Sequence, residues 1–119
     1  MKNMKSVEEL LAAYANDQRH FIDLDLGMLS FRAMNLSGII FQECFLLCDF
    51  SAANLEGARF ERCNIKTVSF REANLTDATI TKCAVEGIDL TGASIENLKF
   101  DGNYCMGSIM SQSDLEGFR

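Results

Sequence analysis

Apolar residues recur along most of this chain at a spacing of five. The series runs from Phe21 through Leu26, Phe31, Leu36, Phe41 and Leu46, then slips by one, so that Phe50 follows Leu46 by four. It continues through Leu55, Phe60, Ile65, Phe70, Leu75, Ile80, Val85, Leu90, Ile95 and Phe100 to Cys105, Met110 and Leu115. These centres hold seven of the nine phenylalanines. Neither a helix nor a plain strand has a period of five.

The residues beside each centre explain the spacing. Two positions earlier the chain is mostly small, as at Cys44, Cys48, Ala53, Ala58, Cys63, Ala73, Ala78, Cys83 and Ala93. In an extended segment, residues two apart share a face, so a centre and its small partner both point inward. The two remaining residues must turn a corner. Seven of the eight glycines lie two after a centre, where a type II turn needs positive φ. Each five therefore predicts one short side and one corner.

Quoted in full, "CDFSAANLEGARF", "REANLTDATI", "GIDLTGASI" and "QSDLEG" resemble the A(D/N)LXX signature of pentapeptide-repeat proteins over about residues 19–117. The resemblance implies an all-β solenoid, a right-handed quadrilateral β-helix with four repeats to a coil and about five coils. Stacked at ~4.8 Å, these would form a prism roughly 24 Å long. With the slip counted, one face stacks Phe21, Phe41, Phe60, Ile80 and Phe100, and the opposite face stacks Phe31, Phe50, Phe70, Leu90 and Met110.

The ends are predicted to differ. Over residues 1–18, "SVEELLAAYANDQ" reads as a capping helix, with Val7, Leu10, Leu11 and Tyr14 on one face and a Ser6–Glu9 capping box. Residues 19–119 form the β-helix. Only "EGFR" follows Leu115, too little for a helical cap. Either Phe118 folds over the last coil or two chains pair there; family members often dimerise through this end, which favours a homodimer through the C-terminal coil.

Composition narrows the function. A net charge of −6 argues against direct nucleic-acid or anionic-membrane binding. No apolar run approaches the roughly 18 residues of a membrane span, and no secretory signal is visible. Five cysteines without CxxC spacing read as reduced thiols of a cytoplasmic protein. Cys44, Cys63 and Cys83 fall in one inward column, where small buried hydrophobes fit better than a tetrahedral metal site. His20, the single histidine, has no nucleophile marked beside it. No catalytic, cofactor or metal residues are assigned.

Two surface candidates remain. Glu56, Asp77, Glu96, Asp114 and Glu116 fall on the fourth face without a Lys or Arg, beside a ladder of Asn35, Asn54 and Asn74. Some relatives are proposed to mimic DNA and bind type II topoisomerase, and this acidic face is where such mimicry would lie. Near the slip, Ile40, Phe45 and Leu47 occupy outward positions, and Tyr104 and Met106 share their face. Such a patch marks either a partner site or a local inward turn allowed by the missing residue. The sequence thus predicts a non-enzymatic interaction or scaffold module for an unidentified protein partner, with a DNA-mimicking modulator of gyrase, linked to quinolone resistance, as the alternative.

Overall fold

A computed structural model describes all 119 residues. After a short strand β1 (Lys2–Asn3) and helix α1 (Val7–Ala15), the chain winds into square coils. The first face is a five-stranded parallel sheet of β2 (His20–Ile22), β4 (Ile40–Gln42), β6 (Arg59–Glu61), β7 (Thr79–Thr81) and β8 (Lys99–Asp101). Its register aligns Phe21, Phe41, Phe60, Ile80 and Phe100, as the slip-corrected columns predict. The second face starts with β3 (Leu24–Gly27) and β5 (Phe45–Leu46) and continues through Asn64 and Ala84 to Tyr104. The third stacks Ser30, Asp49, Ser69 and Asp89; the fourth stacks Asn35, Asn54, Asn74 and Ser94.

The shaft is filled by interlocking rings. Phe31, Phe50 and Phe70 lie nearly parallel, 5.5 and 5.7 Å apart between centroids. Phe60 meets Phe50 and Phe70 edge-on, at 5.8 and 5.5 Å. Small partners make room for them, with Ala53, Ala58, Ala73, Ala78 and four cysteines buried.

Outside the slip and the corner after Leu26, where Gly27 takes the positive φ, the corners follow one rule. The second residue after a centre has positive φ whether or not it is glycine: Ala33, Ala52, Glu72, Asp77 and Lys82 share the conformation of Gly57 and Gly92. Left-handed backbone costs a non-glycine residue roughly 1–2 kcal/mol, so the coil-to-coil hydrogen bonds impose it. Ala52 N–H, for instance, donates to Arg71 O at 2.8 Å. At the slip there is no such residue between Leu46 and Phe50, and the β3–β5 register shifts between Asp25 and Gly27.

At the N-terminal end, α1 buries Leu10, and Tyr14 Oη donates to Ser37 O at 2.7 Å. Ser6 Oγ accepts the Glu9 N–H, but the Glu9 carboxylate takes Lys5 N–H instead of closing the box on Ser6. β1 adds a parallel strand to the second face, pairing Lys2 with Leu24 and Asn3 with Asp25.

The C-terminal end departs from expectation. After β9 (Asn103–Cys105) the chain reverses into an antiparallel strand, β10 (Ser108–Met110), around Met106 (φ 50°) and Gly107 (φ 84°). A two-residue hairpin with both central φ positive matches the right-handed strand twist. Met110 therefore does not extend the third column. Gln112–Phe118 then forms a 3-10 helix across the end, contrary to the expectation that too little chain remains for a helical cap. The Phe118 ring lies 5.6 Å from that of Phe100, and Phe118 O accepts the Leu90 N–H. Phe118 thus folds over the last coil. The first two faces stack five strands of coil, the other two four.

Candidate interaction surface

The fourth-face corners present Glu56, Asp77 and Glu96 to solvent, none in an ion pair. Asp77 accepts a hydrogen bond from Asn97 Nδ2 at 3.1 Å. Asp114 and Glu116 do not join them, because the hairpin carries both onto the 3-10 helix. There Asp114 accepts Ser111 N–H at 2.8 Å, and Glu116 pairs with Arg119 at 3.4 Å. The acidic face is thereby shortened to three carboxylates.

The asparagines beside it have a structural task. Asn35, Asn54 and Asn74 each accept, through the side-chain oxygen, the N–H two residues on: Ser37, Glu56 and Thr76, at 3.2, 3.1 and 3.0 Å. Asp25, Asp49, Asn64 and Asp89 do the same for Gly27, Ser51, Lys66 and Thr91. Where an acid or amide precedes a centre of the coils, it thus clamps the corner after it, as Asx turns do. This role accounts for Asp or Asn at that repeat position and was not drawn from the sequence. On the third face, the Thr91 hydroxyl, the Thr91 N–H and then Arg71 hold Asp89 down at about 2. The Ser51 hydroxyl and N–H likewise lower Asp49.

The apolar candidates divide into two places. Phe45 and Leu47 are half-buried at the slip and outside the core cluster, so neither turns inward to fill the shaft. Phe45 keeps the outward register, between Asp25 and Asn64. Tyr104 and Met106 lie at the C-terminal hairpin, beyond Asn64 and Ala84 in the same column and about 14 Å from Phe45 by coil spacing. Directly opposite Tyr104 on β10 is exposed Ile109, which the period of five does not single out.

The interior thiols are held by the coils. Cys44, Cys63 and Cys83 are buried, each donating to a carbonyl of the preceding coil or of its own: Phe21 or Gln42, Phe41 or Glu61, and Phe60 or Thr81. Asn103 ends their column, fully buried, accepting Cys83 N–H at 2.9 Å and donating to Ile80 O at 3.0 Å. Burial pushes the Cys48 thiol up to about 12. His20 is exposed and hydrogen-bonds Gln42 at 2.8 Å. The surface has two shallow concavities. One of about 90 Å³ lies between Arg32 and Arg71 over Ser51. The other, of about 350 Å³, lies between residues 3–5 and the first corner at Asp25–Leu29. No group of three or more His, Cys, Asp or Glu gathers as metal ligands, and no helix is long and apolar enough to cross a membrane.

The model of the family described as Pentapeptide repeats matches eight copies, over residues 30–66, 48–84 and 69–103. The pentapeptide repeat protein QnrB4 of Escherichia coli is 39% identical over 51 residues, which is 43% of this chain and 24% of that protein. A structure of QnrB1, a plasmid-mediated fluoroquinolone resistance protein, superposes with a TM-score of 0.68 at 25% identity, covering 72% of this chain and 47% of that one. A pentapeptide repeat protein from Nostoc PCC 7120 superposes with a TM-score of 0.64 at 19% identity, covering 88% and 84%. The chain thus spans about a quarter of QnrB4 and about half of QnrB1.

Proposed function

The chain belongs to the pentapeptide-repeat family, and we propose that it serves as a non-enzymatic, cytoplasmic scaffold that binds a protein partner on the flat outer faces of its coils. The observation that carries this reading is the division of labour on the fourth face. Inward residues fill the shaft and Asn35, Asn54 and Asn74 clamp the corners, leaving the corner side chains free to vary in chemistry. On the fourth face those free positions carry Glu56, Asp77 and Glu96 without a cation. A partner with basic side chains spaced at the coil repeat fits this row.

A second reading, modulation of a type II topoisomerase such as gyrase by DNA mimicry, is favoured by the likeness to QnrB4 and QnrB1. Two considerations place it second. Repeats that share an interior alphabet score identity at the shaft and clamp positions whatever the outer faces bind. In addition, Glu56 to Glu96 spans two coils, about 10 Å, where duplex DNA at one charge per ~1.7 Å would present roughly six charges. The row offers three carboxylates.

Affinity capture with the wild type beside a Glu56→Gln, Asp77→Asn, Glu96→Gln variant tests the first reading. A partner held by the wild type and lost by the variant supports it; a partner held equally by both overturns the fourth-face assignment. Salt-sensitive inhibition of gyrase supercoiling, or protection of gyrase from a fluoroquinolone, abolished in the variant would put the second reading first.

A further inference from the structure

The corner between the first and second faces carries one charged residue on each of the first four coils: Asp23, Glu43, Arg62 and Lys82. All four are exposed. Each donates its N–H to the next coil, Asp23 to Gln42 O, Glu43 to Glu61 O, Arg62 to Thr81 O and Lys82 to Asp101 O. The four therefore form one column at the coil spacing of ~4.8 Å. Its signs run two carboxylates, then two cations. Asp23 neighbours Glu43 and Arg62 neighbours Lys82, like beside like, an arrangement that destabilises paired strands. None of the four is in an ion pair within the chain, whereas Lys66 pairs with Glu86, and Arg71 with Asp89, on adjoining coils.

Turned end for end, this column is its own complement: Asp23 meets Lys82, and Glu43 meets Arg62. The first face beside it obeys the same reversal. With the strands of two copies running the same way and their coils in opposite order, the register brings His20 to Thr79 and Ile40 to Arg59. On the other side of the centres, half-exposed Ile22 meets Thr81, and Gln42 meets Glu61, which Arg59 of its own chain already pairs. No charge on these four strands meets its like. At the far margin of the face, Glu56 and Asp77 come level with Ser37 and Gln18, both uncharged. Lys99 and Asp101 on β8 lie past the first coil of the other copy.

We propose that the first face, with this corner, binds a second copy of the chain. The two prisms lie side by side with their long axes antiparallel, and the two-fold axis runs along the strand direction between β4 and β6. The contact is isologous, so the pairs Asp23–Lys82 and Glu43–Arg62 each form twice and the assembly closes at two copies. The face is small and mostly polar. The dimer is therefore of the weak, transient class, in which opposite charges set partner and register. It does not rest on the partner proposed for the fourth face.

Charge reversal tests this by sedimentation equilibrium. Glu43→Arg sets like charges at both Glu43–Arg62 contacts, and so does Arg62→Glu. Both sites are exposed and already hold a charged side chain at positive φ, and an unchanged melting temperature confirms that each variant folds. The expected wild-type mass rises with concentration from one chain towards two and no further. It falls back as salt goes from about 0.1 to 1 M, where the Debye length shrinks from ~10 to ~3 Å. Each single variant associates with itself at least about tenfold more weakly than the wild type does. An equimolar mixture of the two restores the dimer, because every altered contact then joins a cation to a carboxylate. The double variant Glu43→Arg, Arg62→Glu dimerises alone for the same reason. The proposal is overturned by a wild type that stays monomeric up to ~1 mM, or by one whose mass passes beyond two copies. Single variants that associate as the wild type does also overturn it, as does a mixture or a double variant that remains monomeric.

Discussion

Truncating Phe60 to alanine tests the filled shaft directly. Phe60 is fully buried, with ring centroids of Phe41, Phe50 and Phe70 at 5.6, 5.8 and 5.5 Å. Removing it vacates the meeting point of both phenylalanine columns. In many proteins a core relaxes into such a void, but here the walls are strands bonded to the coils above and below. Arg59 N–H donates to Ile39 O at 2.9 Å, and Thr79 N–H donates to Ala58 O at the same distance. Moving one wall inward would break ladder bonds on both sides. The loss should therefore fall in the upper part of the ~3–5 kcal/mol range for a buried Phe→Ala change. At about 4–8 °C per kcal/mol for a domain near 100 residues, the melting temperature should drop by roughly 15 °C or more. Phe118→Ala is the matched control: half-buried, with one ring neighbour, Phe100, it should cost well under half as much. Urea titrations of the three proteins, with equal slopes, give the difference in free energy. A loss below about 1.5 kcal/mol for Phe60→Ala, or one matching Phe118→Ala, would refute the rigid-shaft argument.

The corners and clamps make further claims. Gly87→Ala should cost about 1–2 kcal/mol in the same urea assay, since φ is 74° there and the added Cβ would sit 3.3 Å from Thr67 Cγ2. Asp89 ionises lower in the folded chain than the ~3.9 of an unfolded one, so its stabilising effect is complete above pH 4 and lost as pH falls towards about 2. Asp89→Asn, which keeps the clamping oxygen, should flatten that part of the acid melting curve without lowering stability at pH 7 to the level of Asp89→Ala. Of the five thiols, Cys105, which is partly exposed, should react first with a thiol reagent, and the other four only on unfolding; fast labelling of Cys44 or Cys63 in the folded protein would contradict their burial.

The interior of this fold was legible because its signal repeats. A column such as Phe41, Phe60, Ile80 is stated once per coil, and the one-residue slip is visible because every later centre shifts with it. The C-terminal end was not legible, for a specific reason. Gly107 lies two after Cys105, where a regular corner wants glycine, but it is equally the second residue of the hairpin turn with Met106. One residue satisfied both geometries, and Leu115 stayed in phase although it belongs to the 3-10 helix. β1 escaped notice because two residues, Lys2 and Asn3, carry no alternation. Of the acidic row, Glu56, Asp77 and Glu96 followed from the coil arithmetic, whereas Asp114 and Glu116 left the row with the hairpin. The asparagine ladder looked like surface chemistry because its partners are backbone N–H groups, which a sequence does not display.

The account places binding on the free corner residues and stability on everything inside them. Hydrogen exchange of the protein with and without its captured partner tests this most directly. The account predicts slowed exchange at residues 56–57, 76–77 and 96–97 along the fourth face, with the shaft strands unchanged. Protection confined to the slip around Phe45, or to the hairpin at 103–110, would contradict it.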